Sequence, residues 1–422
     1  MKARESREAR SPDETRAVSP AESEHEPPHP TPSPSTGALL PPPEESEKEL
    51  EAARPVLVGM TTPAIEDVFA RLGHARFRGR QVADWVYRRG ATSFAEMTDL
   101  PLALRQALPE AVDLGIPEIV QSVSDADGTT KYLLRFPDGA TVECVRLPYR
   151  EWSSVCVSTQ VGCPLRCTFC ATGASGFTRN LTAGEIVAQF LLARAGATPP
   201  LTHVVFMGMG EPLLNYNALL EAIRLLNTEC GVGARNMTIS TVGIVPGIER
   251  LAQERLQVNL ALSLHAADDE TRARLMPAGR RYPLDQVFEA LRGYINATHR
   301  RVTLEYLLLQ DVNDSEEDAD RLARLIRTEL QVSTRQGTGR RGLLPVVNLI
   351  PYNETEAGFR RPSEATVRRF QARLKAHGIP VTRRLERGGT VDAACGQLRR
   401  AAARRRREGG ARPTHRSDSS RG

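Results

Sequence analysis

Residues 162–170, GCPLRCTFC, place three cysteines in the spacing C-x3-C-x2-C: Cys163, Cys167 and Cys170. A [4Fe-4S] cluster is usually held by four thiolates, one at each iron. Three thiolates leave one iron open, and an open iron can bind a small molecule. The spacing therefore predicts a ligand-binding iron–sulfur cluster held in this loop.

A zinc site is the alternative interpretation of the same residues, with Cys156 supplying a fourth thiolate. Structural zinc sites usually take two ligand pairs from separate chain segments. Here all four cysteines fall within one short piece of chain. The spacing favours the cluster over zinc.

The chain after residue 160 alternates apolar strand patterns with helical patterns, which indicates a parallel α/β sheet with ligands at the carboxyl ends of its strands. The predicted strands are 203–207, 237–240, 258–263, 301–306, 346–350 and 381–383. About six units are visible, fewer than the eight of a closed barrel. We therefore predict a partial, open (β/α)6 barrel.

Outward from this barrel, predicted over 156–398, the sequence predicts four further segments. Residues 1–54 are rich in Pro, Ser and Glu and are expected to be a disordered acidic extension. Residues 55–115 are predicted to form a small helical accessory domain. Residues 116–155 read as a β-rich linker with a hairpin, and 399–422 as a disordered basic tail. Within the barrel, 331–342 is an Arg- and Gly-containing insertion.

Basic and aromatic residues alternate in the accessory domain, a combination that suits RNA backbone and base contacts. For Phe77 and Trp85, however, burial in the core is the favoured interpretation. The group comprises Arg76, Phe77, Arg78, Arg80, Trp85, Tyr87, Arg88 and Arg89.

Charge and cysteine usage restrict the class of protein. Residues 1–54 hold twelve acidic and seven basic side chains, a net charge of −5, so the rest of the chain carries +10. A basic body suggests a polyanionic partner such as RNA, although a basic surface also serves solubility. No long apolar run or signal peptide is visible, and seven clustered cysteines suit a reducing compartment. A cytoplasmic protein without a membrane segment is expected.

Polar residues stand at the ends of the predicted strands. Gly210 and Glu211 follow the first of them, and a glycine lets the backbone approach a ligand closely. Further polar residues end three other strands: Ser240, Ser263 with His265, and Asn348. Together they predict a site for a nucleotide-like ligand at the mouth of the barrel.

Several strings in order resemble the radical SAM adenosine methyltransferases of rRNA, the RlmN/Cfr family. Besides the cysteine stretch they are CVSTQVGC at 156–163, GFTRNL at 176–181, MGMGEP at 207–212, SLHA at 263–266 and DAACGQL at 392–398. The resemblance covers about residues 60–400. It implies a radical SAM barrel, a [4Fe-4S] cluster and S-adenosyl-L-methionine (SAM).

The resemblance also implies roles for individual residues. The three cysteines would bind the cluster, and SAM would be bound by Gly210, Glu211, Ser240, Ser263, Leu264, His265 and Asn348. Cys395 would carry a methyl group taken from a first SAM, Cys156 would resolve the protein–RNA adduct through a transient disulfide with Cys395, and Glu143 would accept a proton. Without the family, Glu143 reads as an outward-facing charge on a hairpin strand, while Cys144 and Cys230 read as buried structural cysteines.

The family implies methylation at C2 of an adenosine in the peptidyl-transferase centre of 23S rRNA, and of the adenosine 3′ of the anticodon in tRNA. C8 methylation of the same rRNA adenosine is the nearest alternative, because both branches share these motifs. A non-enzymatic zinc-bound RNA-binding protein is the alternative of another class. An electron-donor protein such as a flavodoxin and a monomeric state are expected.

Overall fold

A computed structural model of the protein describes residues 54–330, 345–353, 357–384, 387–388 and 397. The predictions for the acidic extension up to residue 53, the 331–342 insertion, Cys395 and the basic tail lie outside the described residues. Within the described ranges, no helix is both long and apolar enough to cross a membrane.

Three helices form the predicted N-terminal helical region: α1 (Thr62–Arg71), α2 (Arg76–Asp84) and α3 (Leu102–Ala111). The hydroxyl of Thr61 accepts from the Ala64 N–H and caps α1. A parallel bridge between Val56 and Asp113 ties the two ends of the region together.

The aromatic residues of this region do not share one environment. Phe77 is 51% exposed, so its predicted place in the core is wrong, and the Arg78 guanidinium lies 4.7 Å from its ring centroid. Trp85 is half-buried against the core, and its indole N–H donates to Asp99 at 2.6 Å. Tyr87 is fully buried, and its hydroxyl donates to the Met60 carbonyl at 2.6 Å.

Ten strands make one sheet whose spatial order is β1-β2-β3-β4-β7-β8-β9-β10-β11-β12. They are β1 (Glu118–Ser124), β2 (Thr130–Arg135), β3 (Thr141–Pro148), β4 (Ser153–Cys156), β7 (Leu201–Phe206), β8 (Met237–Thr241), β9 (Asn259–Ser263), β10 (Val302–Leu308), β11 (Val346–Pro351) and β12 (Val381–Arg383). The pairs from β1 to β4 are antiparallel, and those from β4 to β12 are parallel. The order is open, as predicted.

All six predicted strands of the barrel are present, and a helix follows each parallel strand from β4 to β11. These helices are α5 (Ala183–Arg194), α6 (Tyr216–Thr228), α7 (Val245–Gln253), α9 (Leu284–Thr298), α10 (Glu316–Glu329) and α11 (Glu364–Ala376). Two short helices, α4 (Ala171–Ala174) and α8 (Asp269–Leu275), and a small β5–β6 pair (Gln160–Gly162 with Phe177–Asn180) complete the described elements around the site. Strand β4 adds a first unit that periodicity alone does not reveal.

Local sequence explains where the helices begin. Thr182 and Glu185 form a reciprocal capping box at the start of α5, and Ser363 accepts from the Thr366 N–H at the start of α11. Gly378, just after α11, has φ +74°, the left-handed conformation that ends helices. Ser363 and Gly378 thus mark the two ends of α11.

Strand register divides the parallel sheet into two faces. The face under the helices is apolar and buried, as at Phe206, Ile239 and Leu262. The other face is concave and carries polar side chains. In register across the sheet, Ser240 shares this face with Ala261, and Ser263 shares it with Glu305. The open barrel therefore encloses a polar interior.

Helix α5 packs closely on the segment that precedes α1. A Cβ atom on Gly184 would overlap the Val58 carbonyl oxygen and lie 3.0 Å from its carbonyl carbon. Gly293 in α9 is the matched contrast, because it is exposed and a Cβ there meets nothing within 4 Å.

We expect Gly184→Ala to lower the free energy of unfolding by about 1–3 kcal/mol through overpacking. Gly293→Ala, also within a helix, should raise it by about 0.5–1 kcal/mol. Denaturant titration of both variants measures the difference. Equal changes in the two variants would contradict a close contact at Gly184.

Candidate active site

The cysteine loop joins the two short strands β5 and β6, and backbone hydrogen bonds hold it. The Cys163 N–H donates to the Gly176 carbonyl at 2.8 Å, and the Thr168 N–H donates to the Leu275 carbonyl at 2.9 Å. Arg166, between the first two cysteines, takes a left-handed φ of +51°. The loop is thus fixed both to its own hairpin and to helix α8.

All three cysteines of the loop line one cavity at the carboxyl ends of β7, β8 and β9. Burial raises the pKa of Cys163 to about 12, and burial with the neighbouring thiols raises the pKa of Cys167 further. Thiols in this state stay protonated at neutral pH, so they become thiolates only beside a strong positive charge such as a metal centre.

The cysteine geometry fits a cluster better than a single ion. Among the described residues, no group of three Cys, His, Asp or Glu side chains is close enough to hold one metal ion. A mononuclear zinc site requires such a group, whereas a cubane takes each thiolate at a separate iron. Cys156 is buried in β4, where it pairs with Val145 and Val205, and does not line the cavity. The structure therefore does not support zinc bound by Cys156 and the loop.

The loop after β7 borders the cavity at a glycine, Gly210. Gly210 has φ +103°, and a Cβ there would lie 2.6 Å from the Cβ of Gln160. This close approach lets the side-chain amide oxygen of Gln160 accept a hydrogen bond from the Glu211 N–H at 2.9 Å. The predicted close approach of backbone at Gly210 is thus present, and both Gly210 and Glu211 line the cavity.

The Glu211 carboxylate is buried and bound by backbone N–H groups. One oxygen accepts from Leu213 at 3.1 Å and the other from Val242 at 2.9 Å. Burial nevertheless raises its pKa to about 7, against the opposing effect of these hydrogen bonds. The group therefore changes protonation near neutral pH.

Ser240 and Ser263 end two neighbouring strands and line the same cavity, with their hydroxyl oxygens 3.3 Å apart. His265 follows in a left-handed conformation, φ +58°, and its Nδ1 accepts from the Leu307 N–H at 3.1 Å. Burial, with Arg272 nearby, lowers its pKa to about 3. The imidazole is therefore neutral, and its ring meets Phe169 edge-on at 5.1 Å.

Two predicted site residues do not line the cavity in the described part of the chain. The Leu264 side chain is fully buried in the core, and its N–H donates to the Glu305 carbonyl at 3.0 Å. The Asn348 amide donates to the Glu305 carboxylate at 2.8 Å and accepts from Thr382 at 3.0 Å. Asn348 is therefore one contact removed from the cavity wall.

Sequence reasoning missed Glu305, which lines the adjoining part of the cavity with Arg384. It is 6% exposed, and burial raises its pKa, against the opposing effect of Arg384. The signal is present in the sequence: Glu305 is the one charged residue within the apolar strand VTLEYLL, residues 302–308.

Glu143 is buried, with 2% of its side chain exposed, so the outward-facing alternative is wrong. Its N–H donates to the Met209 sulfur at 3.5 Å, and its carbonyl accepts from the Ser158 hydroxyl at 2.7 Å. In register, Val145 stands opposite Cys156, so Glu143 and Cys156 share the concave face. The second thiol with an expected role, Cys395, lies outside the described residues, whereas Cys144 and Cys230 are buried as predicted.

Comparisons with known proteins place this arrangement in a family. Residues 157–323 match the radical SAM superfamily model, and residues 56–114 match the model of the ribosomal RNA large subunit methyltransferase N-terminal domain. A probable dual-specificity RNA methyltransferase RlmN from Symbiobacterium thermophilum is 46% identical over 362 residues, which is 84% of this chain and 94% of that protein. The dual-specificity RNA methyltransferase RlmN of Marinobacter nauticus is 41% identical over 353 residues, 81% of this chain and 92% of that one. The chain belongs to the RlmN family of radical SAM RNA methyltransferases.

A solved structure agrees with this membership. A radical SAM methyltransferase from Sphaerobacter thermophilus matches with a TM-score of 0.75 and 46% identity, over 82% of this chain and 99% of that one. RlmN family membership implies a [4Fe-4S] cluster and SAM, and it makes the non-enzymatic zinc protein wrong. The three thiols that line the cavity fit the cluster, and the cavity wall at Gly210, where the backbone comes close, fits SAM.

The raised pKa of Glu211 makes stability depend on pH. Its folded value of about 7 exceeds the ordinary 4.5, so the folded state holds the proton more tightly than the unfolded state. Stability from this group is fully present below pH 4.5 and is lost as the pH rises towards 7. The buried neutral His265 gives the opposite slope between about pH 3 and 6.5.

We therefore expect the difference between wild type and Glu211→Gln, measured on cluster-free protein, to isolate Glu211. The wild type should lose about 3 kcal/mol of unfolding free energy relative to the variant between pH 4.5 and 7. Denaturant titrations at several pH values measure it. Parallel pH profiles for the two proteins would show that Glu211 does not bind a proton more tightly when folded.

Proposed function

We propose that this RlmN family member methylates C2 of an adenosine in the peptidyl-transferase centre of 23S rRNA and of the adenosine 3′ of the anticodon in tRNA. The proposal rests on the arrangement of side chains on the concave face of the sheet. This face places a buried carboxylate, Glu143, on the same side of the sheet as Cys156 and beside the loop from Met209 to Glu211. A base and a thiol next to a SAM-type cavity are what removal of a ring proton and release of a covalent adduct require.

Cys163, Cys167 and Cys170 would hold the cluster, because these three thiols line the cavity together. When bound, the cluster supplies the electron that cleaves SAM reductively. An electron-donor protein such as a flavodoxin would deliver that electron. The loop would present these thiols from a fixed position, because its backbone is hydrogen-bonded to helix α8 and it joins the two strands of the β5–β6 pair.

SAM would occupy the cavity between the cysteine loop and the strand ends. Ser240 and Ser263 offer hydroxyl groups to its polar atoms, and Glu211 offers a carboxylate with a pKa of about 7 to its ammonium. His265 would offer its Nε2–H, because its Nδ1 accepts from the Leu307 N–H and its backbone carbonyl accepts from the Asn313 amide. Leu264 would contact SAM through its backbone only, because its side chain is buried in the core. Asn348 would contribute indirectly, through its hydrogen bond to the Glu305 carboxylate.

The remaining roles concern covalent handling of the RNA. Cys395 would carry the methyl group, taken from a first SAM, with a second SAM used for reductive cleavage. Glu143 would accept the proton from the modified ring carbon. Cys156 would then free the RNA by forming a transient disulfide with Cys395. Two thiols are required for this release, because one carries the adduct and the other displaces it.

RNA would also contact the accessory helices. Phe77 is half exposed beside Arg78, and Arg76 and Arg80 are 53% and 69% exposed, so an aromatic ring and basic groups face solvent together. We further propose that the enzyme acts as a monomer in the cytoplasm, where both RNA substrates are found. The acidic extension 1–54 is proposed to have no catalytic part.

Mass spectrometry of nucleosides tests the proposed product. A host that lacks its own such enzyme would express this protein, and digested rRNA and tRNA would be analysed separately. We expect 2-methyladenosine in both pools. A product at C8 in rRNA would support the C8 alternative, and rRNA product without tRNA product would contradict dual specificity.

Replacing one loop thiol tests the cluster assignment. Cys167→Ala should purify with little iron and without brown colour, because all three thiolates are needed. Cys230→Ala is the control, since Cys230 is a buried thiol that does not line the cavity. Iron content and visible absorbance are measured for both. An iron-replete Cys167→Ala protein, or equal iron loss in Cys230→Ala, would exclude the assignment.

A further inference from the structure

A buried ion pair lies next to the proposed proton acceptor. The Lys131 ammonium is 3.6 Å from a carboxylate oxygen of Glu143, and the two side chains are only 7% and 2% exposed. The mechanism above makes no use of Lys131. A lysine is seldom this deeply buried unless its charge is paired.

Strand register explains why the pair forms. Strand β2 runs antiparallel to β3, with Lys131 opposite Val145 and Leu133 opposite Glu143. Lys131 and Glu143 are therefore diagonal neighbours on one face, a spacing that a long side chain can bridge. Because Val145 also stands opposite Cys156, Lys131, Glu143 and Cys156 all lie on the concave face.

Because Glu143 is buried, its pairing with Lys131 favours the charged carboxylate over the protonated form. Removing a carboxylate from water is costly, and a carboxylate without a cation takes up a proton instead. An opposite charge within about 4–6 Å reverses that preference. Lys131 meets this condition from the adjacent strand.

We propose that Lys131 is a positioning residue, whose buried ammonium keeps the Glu143 side chain a carboxylate and fixes it on the concave face beside Cys156. The inference rests on the proposed role of Glu143. In that step the proton leaves the ring carbon of the adduct for a carboxylate oxygen, and the electron pair of the C–H bond stays in the ring. A protonated Glu143 has no site for that proton, so Lys131 determines whether the step can occur.

The further contacts of Glu143 seen in the described part of the chain come from groups without a positive charge. Cys156 faces it from β4, and Cys144 adjoins it on β3 and is close enough for the Glu143 charge to contribute to its raised pKa, after burial and Cys156. Ser158 packs against its backbone and is held in turn by Gln189 of α5, and neither of these two carries a charge. Among these contacts, Lys131 is the cation that the structure assigns to Glu143.

Carbon-13 NMR of full-length holoprotein labelled at glutamate carboxyl groups tests the inference without RNA. The Glu143 signal is identified by its loss in Glu143→Gln. In Lys131→Met the midpoint of the Glu143 titration should rise by about 1–3 pH units. Lys375→Met, the same change at an exposed lysine, should leave the midpoint unchanged. An unshifted midpoint in Lys131→Met, or an equal shift in Lys375→Met, would overturn the proposal.

The variant can also be informative if it does not fold. Should Lys131→Met be unfolded at neutral pH, the pairing predicts that it folds as the pH is lowered and Glu143 is protonated. Lys131→Met/Glu143→Gln should then fold at neutral pH, because no unpaired charge remains. Failure of both variants at every pH would assign Lys131 to packing alone and overturn the proposal.

The pH–rate profile of RNA methylation separates this inference from the proposed function. In Lys131→Met the acid limb of the profile should move to higher pH with the NMR midpoint, and Lys131→Arg should restore the wild-type profile. A shifted NMR midpoint with an unshifted profile would uphold the ion pair but refute Glu143 as the base. A lower rate at every pH with both midpoints unchanged would mean a purely structural Lys131.

Discussion

The alternation of side chains across one continuous sheet is the constraint on which the rest of the structure depends. Each strand of this sheet from β1 to β12 pairs with the next one, and the register shifts fall at Ile119/Gln121 and Ser153/Ser154, so the choice of face in one strand fixes the face in the strands around the site. The helices cover the face that carries Phe206, Ile239 and Leu262. Polar residues at alternate positions must then point to the concave side. The cavity follows from this register.

Polar groups buried in the interior require hydrogen-bond partners, and the fold supplies several of them locally. The Glu305 carboxylate is bound by Asn348 from the next strand, and the Gln189 amide binds the Ser158 backbone in both directions. Such contacts cost little net stability when satisfied but are expensive when one member is lost. The stability needed to hold them comes from the apolar face, where a single core extends from Leu57 to Ile379.

Much of this arrangement was predictable from the sequence, because it is local. Apolar runs predicted all six strands, and the cysteine spacing and strand-end residues predicted three thiols and five further residues of the cavity wall. The missing strand β4 is only four residues long and fully buried, so it has no alternation to detect. Phe77 was misjudged because helical periodicity does not say which face of a helix remains uncovered.

The burial of Glu143 was beyond sequence reasoning for a different reason. A charged residue in a hairpin strand is ordinarily exposed, and only the pairing of β3 with both β2 and β4 covers it. Asn348 likewise ends a strand as predicted, yet Glu305 stands between it and the cavity. Both cases depend on contacts between residues far apart in the chain.

Two buried carboxylates near the cavity show how the fold treats the same chemical group in two ways. Glu211 meets only backbone N–H groups and a hydroxyl, which do not offset its burial, and its pKa rises to about 7. Glu143 instead meets a full positive charge on Lys131. Partial charges and a whole charge stabilise an anion to different extents. One fold thus gives two carboxyl groups different electrostatic surroundings, one with hydrogen bonds alone and the other with a buried cation.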